Sequence, residues 1–191
     1  MTRVHFDCCR LTFALAAPER LSPRESLKRA LATSPTDSVI ETILQSIPYS
    51  GFPGAVEAFG WLRSEVPEEA SESRPSNDRD VFQEVYGGAT DKVLGELSRR
   101  HMDLEMWIRE FAYRSVMGTS PWQTVDLEFL AVSSLLAQAR MTPFHSHLRG
   151  ALRCGATAEE LSSLLDDLQD VAQPQALATA RDLLVTESRG D

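Results

Sequence analysis

No stretch of this chain comes near the roughly 20 apolar residues that a membrane-spanning helix needs. None alternates apolar and polar residues long enough to read as a strand. The first lack argues against a helical membrane anchor, and the second leaves an all-helical fold. Basic residues are scarce too: 19 Lys and Arg stand against 28 Asp and Glu, a formal charge of -9. Such a surface repels phosphates, so neither nucleic acid nor an anionic membrane is expected as a partner. Cysteine is limited to Cys8, Cys9 and Cys154, with no CxxC spacing. Neither a zinc ribbon nor a thioredoxin-like redox pair can be drawn from that spacing, no metal is expected, and free buried thiols are the default. The apolar run from Leu11 to Ala17 follows Asp7 and Arg10, the wrong flanks for a signal peptide, so the expected location is cytoplasmic.

What is present is helix-forming. With 42% hydrophobic residues in 191, the chain can bury a core as one or two compact units. Helix starts recur. Ser22-Pro23-Arg24-Glu25 offers a cap, a proline for the first turn and an acid reaching back. Thr36-Asp37 opens a second helix expected to stop at Pro48, and Pro53 starts another after a Gly51-Phe52-Pro53 turn. Asp103 is expected to cap a segment with Leu104, Trp107, Ile108 and Phe111 in helical register, and Trp107 and Phe111 read as core. Residues 65–78 are acidic, hold two prolines and lack apolar periodicity. They read as a linker between residues 1–64 and 79–191.

Those two parts are related. At an offset of 121 (147 − 26), Ser26-Leu27 falls on His147-Leu148, Thr36 on Thr157, Pro53 on Pro174 and Asp7 on Glu128. Helix starts, apolar positions and both prolines stay in phase without a gap. The expectation is one helical unit used twice about a pseudo-twofold axis. The first copy is degenerate, with Ser26 where the second has His147 and Arg24 where it has His145. It therefore serves as a wall, with Tyr49 and Phe52 as lining.

The candidate site lies between residues 126 and 155, read as two apolar helices joined by a turn at Met141-Thr142-Pro143. Glu128 is one acid on an apolar face, and His147 sits beside the stripe Phe144, Leu148, Ala151 and Leu152. An acid and an imidazole facing each other across packed helices can move a proton at neutral pH. His145, Arg140 and Tyr113 are the candidates for holding a substrate.

The segment EFAYRSVMGTSPWQTVDLEFLAVSSLLAQARMTPFHSHLRGALRCGATAEEL resembles the carboxymuconolactone decarboxylase family, which also contains alkyl hydroperoxidase D. In the first copy, LKRALATSPTDSVIETILQSIPYSGFPGAVEAF is similar to the same family's final helices. The resemblance implies an all-α, alkyl hydroperoxidase D-like fold and homo-oligomers, trimers or hexamers. Hydroperoxidase members use a glutamate, a CxxC pair and a histidine 19 residues after the glutamate. Glu128 and His147 keep that spacing (147 − 128), but Arg140 and Pro143 stand where the cysteines would be. Without thiols there, the disulfide cycle lacks both nucleophile and resolving partner. Decarboxylase members lack the pair too and act on a carboxylated muconolactone without a cofactor. The expected activity is therefore cofactor-free proton transfer on a small carboxylated lactone or related acid. A redox role for Cys154 and a non-catalytic oligomer that binds a small molecule are the alternatives. Leu127 replaces the family's arginine before the glutamate, and Ala172-Gln173-Pro174 replaces its Gly-Phe-Pro turn, which leaves the substrate open.

Overall fold

A computed structural model describes residues 4–67 and 79–189. The described residues are all-α, without a strand. Ten α-helices follow in chain order: α1 (Phe6–Ala16), α2 (Pro23–Thr33), α3 (Thr36–Glu65), α4 (Val81–Tyr86), α5 (Thr90–Arg100), α6 (Met102–Trp107), α7 (Thr124–Ala137), α8 (Met141–Arg153), α9 (Ala158–Asp167) and α10 (Pro174–Ser188). A short 3₁₀ turn, Gly87–Ala89, precedes α5, and a π-helix, Ile108–Met117, continues α6.

The local signals act as their chemistry requires. Ser22 accepts from the Glu25 N–H with Pro23 at the first helical position, and Thr157 and Glu160 form a complete capping box. Helix α3 departs from expectation. It runs past Pro48 and breaks only at Gly51, whose φ of 77° is open to glycine at little steric cost. Pro48 gives up one backbone bond without ending the helix. The turn between α7 and α8 is also earlier than expected. Gln138 to Arg140 make it, with Ala139 at φ 53°, and Met141 already opens α8.

Helices α1 and α7 pack side by side at the centre, where Thr12 Oγ1 donates to the Leu130 carbonyl at 3.4 Å. Every residue of α7 from Thr124 to Ala137 is buried, because α1, α3, α8 and α10 surround it. Phe13, Phe129 and Phe144, one each on α1, α7 and α8, are fully buried, and each such side chain stabilises by roughly 1.5–3 kcal/mol. One core joins residues from both sides of segment 65–78. The helix ends follow the 121-residue offset: α1 maps to 127–137 within α7, α2 to 144–154 against α8, and Thr36 to Thr157, the cap of α9. Of the expected linker, residues 68–78 lie outside the described residues.

Helix α4 and the π-helix build a second, smaller core from Val81, Phe82, Val85, Tyr113 and Met117, closed by Leu127 of α7. Here two expectations fail. His101, not Asp103, caps α6, its ring accepting from the Asp103 N–H. Trp107 and Phe111 are not core. Trp107 is 62% exposed, on a helix α6 that buries none of its residues, and Phe111 is 37% exposed within the π-helix that follows.

Candidate active site

Glu128 sits in the second turn of α7 and is fully buried, at 0% exposure. His147 projects from α8 with 8% exposure. Helices α7 and α8 pack antiparallel through the three-residue turn, and the 19-residue separation places the two side chains level. Both carboxylate oxygens of Glu128 lie 3.1 Å from His147 Nδ1. A carboxylate accepts, so in a pair with ionised Glu128 the donor is His147 Nδ1. Among the described residues Nε2 has no hydrogen-bond partner.

Space for the carboxylate comes from a glycine. A Cβ on Gly150 would collide with Glu128 Oε2 and lie 2.8 Å from Val85 Cγ1. The chain thus spends a poor helix former in mid-α8 to let the acid in. All three tyrosines of the sequence gather round it. Tyr49, on the last turn of α3 before the Gly51 break, meets the His147 ring edge-on at 5.9 Å between centroids. Tyr86 and Tyr113 share a 3.0 Å hydroxyl–hydroxyl hydrogen bond. All three phenols are pushed above their ordinary range, first by burial and further by the negative charge of Glu128. They are neutral hydroxyls in use, able to donate but not to act as bases.

The other expected site residues lie elsewhere. His145 Nε2 is 2.7 Å from Glu187 Oε1, and Arg149 is 3.3 Å from the other oxygen of Glu187, so His145 ties α8 to α10. Arg140 is exposed at the start of α8, with no side-chain partner among the described residues. Tyr113 makes its hydrogen bond to Tyr86 and feels the charge of Glu128. Phe52, expected as lining, is 60% exposed and stacks on Phe111 at 5.5 Å, whereas Tyr49 does line the pair. Two members were missed from sequence. Gly150 had a signal, a glycine inside a strong helix, and Tyr86 had none, since its partner lies 27 residues away.

At the 121-residue offset the acid is held differently. The position equivalent to Gly150 is Arg29 (150 − 121), and its guanidinium lies 3.1 Å from Asp7, the counterpart of Glu128. Thr33 Oγ1 donates to the other oxygen of Asp7 at 3.1 Å. An arginine pairs with Asp7 from the position where α8 has the glycine that admits Glu128.

Fold and site together describe an all-helical protein with a buried acid–imidazole pair. No family model matches the chain. It is similar to "Peroxisomal protein 2" of Schizosaccharomyces pombe, 26% identical over 137 residues, a match covering 64% of this chain. The match spans 63% of that relative's length.

Proposed function

We propose that this chain is a cofactor-free proton-transfer enzyme of the carboxymuconolactone decarboxylase type, acting on a small carboxylated lactone or related acid. The observation that carries the reading is the pairing of Glu128 with His147 Nδ1, which leaves Nε2 as the working atom. Glu128 holds the tautomer and offers the counter-charge for an imidazolium, as an acid does for histidine in other proton-transfer sites. As the bond to the departing carboxylate breaks, its electron pair stays on the adjacent carbon. Nε2, which has first taken a proton from water to form the imidazolium that Glu128 balances, gives that proton to the carbon as carbon dioxide leaves. Glu128→Gln and His147→Gln should each abolish turnover of a carboxylated muconolactone, followed by ultraviolet absorbance, with helicity kept. Full turnover in both variants overturns the proposal.

A second reading has an observation of its own. Neither Glu128 nor His147 lines the cavities of about 380 and 410 Å³, and Gly150, Val85 and Tyr49 pack close about the pair. In that reading the pair is a polar plug in a non-catalytic helical protein, and turnover is absent from the wild type as well. The redox alternative rests on Cys154, whose thiol is pushed up to about 11 by burial and then by Glu128 and Glu84. Little thiolate forms at neutral pH, which weakens it as a peroxide nucleophile. The exposed side chains Phe52, Val56, Trp107 and Phe111 support homo-oligomerisation. No helix among the described residues is long and apolar enough to cross a membrane. The relative's name favours the peroxisome over the cytoplasm, and the location of a fluorescent fusion decides between them.

A further inference from the structure

The cavity of about 380 Å³ lies beside the small core, outside the Glu128–His147 pair. Its apolar side is Phe82, Leu94 and Tyr113, and its polar side carries Arg79, Arg109 and Arg114 against Asp80 and Glu110. The lining brings three arginines and two acids together, with Glu84 and Glu105 paired to Arg79 and Arg109 just beyond it. Guanidinium forks gathered round an aromatic hollow suit a planar anion.

The backbone supports the same reading. Arg109, Glu110, Tyr113 and Arg114 all come from the π-helix, where the Gly118 N–H bonds the Tyr113 carbonyl at 2.7 Å, five residues back. In that register residues four and five apart stack, so Arg109 brings Tyr113 and Arg114 onto its own face. An α-helix would spread them. A π-helical insertion is a costly geometry that recurs where side chains must converge on a ligand.

The arginines are not equally free. Arg79 is committed to the Trp122 carbonyl at 2.7 Å and to Glu84 at 3.2 Å. Arg109 pairs with Glu105 and Glu110, both at 2.8 Å. Arg114 makes one ion pair, to Glu110 at 3.3 Å, and a guanidinium has five N–H donors. Its fork matches a carboxylate in bidentate geometry.

We infer that this cavity binds a small organic anion with a flat apolar body, the body against Phe82, Leu94 and Tyr113 and the anionic group on Arg114 and Arg109. The inference concerns binding and does not require Glu128 or His147 to do chemistry.

Benzoate tests it, with neutral benzamide as the control of the same shape, by calorimetry and amide NMR shifts on the intact chain. Saturable benzoate binding is expected, with shifts centred on residues 109–114, 82 and 94. Benzamide should bind at least tenfold more weakly, and Arg114→Gln and Arg109→Gln should each weaken benzoate about fivefold. Leu94→Trp, which fills the hollow without touching its charge, should abolish binding. Equal binding of the two probes overturns the assignment. So does unchanged affinity in both arginine variants, shifts centred elsewhere, or no binding at millimolar benzoate. Because no turnover is measured, these results are read separately from those of Glu128→Gln and His147→Gln.

Discussion

Gly150→Ala tests the buried site through a single methyl group. The new Cβ would collide with Glu128 Oε2, lie 2.8 Å from Val85 Cγ1 and stand 3.2 Å from Glu128 Cδ. The helix itself should gain about 1 kcal/mol, since alanine is the better helix former. Against this, forcing a methyl into a filled interior costs about 1–3 kcal/mol. Swinging the carboxylate away from His147 forfeits a charged hydrogen bond worth about 1.5–3 kcal/mol. The net expectation is destabilisation of about 2–4 kcal/mol by urea unfolding. Gly60→Ala is the internal control. It lies within α3, where a Cβ would meet nothing within 4 Å, and should stabilise by about 1 kcal/mol. In a Glu128→Ala background, which removes the oxygen the methyl strikes, Gly150→Ala should cost about 1–3 kcal/mol less. If Gly150→Ala matches Gly60→Ala in sign and size, the carboxylate does not occupy the space above Gly150 and the geometry of the site is wrong.

Alkaline pH should weaken the fold. Cys8, Cys9 and Cys154 are all raised by burial from an ordinary 9.0, Cys154 to about 11. Unfolded thiols therefore lose their protons first, so stability is full below pH 9 and falls as pH rises through about 11. A melting temperature flat from pH 8 to 11 would contradict this, and Cys154→Ser should lessen the slope. His145→Ala should lower stability by less than about 1 kcal/mol, because the Glu187 pair is partly exposed, and should leave turnover intact. A large loss of turnover would put His145 in the site. Trp107→Lys should shift any oligomer seen by light scattering toward monomer, and an unchanged mass excludes this face from the interface.

The all-helical character was legible because it depends on spacing that short stretches carry in full. Pro23, Thr157 with Glu160, and Pro174 each mark a helix start through their own side chains or rings, whatever surrounds them. The 121-residue offset was drawn from the same local signals, and along it α1 falls on 127–137 within α7 and Thr36 on Thr157, the cap of α9. The Glu128–His147 pair could be drawn because a 19-residue separation across one short turn nearly fixes geometry. The Gly51 break, the π-helix and the outward turn of Trp107 could not. A proline at position 48 is a local stop signal, but its missing hydrogen bond is tolerated where the packing of α3 against α1 and α7 holds the helix together.

Residue order by itself determined which segments coil, where most of them begin, and that one acid and one imidazole would stand on adjoining rods. Only tertiary packing decided that Gly150 must be small, that Tyr86 should find Tyr113, and that His145 should turn to Glu187 while His147 turns inward. The physical reason is range. Helix propensity and capping act within a few residues, whereas the depth of a carboxylate and the company it keeps are set by side chains that meet only once the chain has folded.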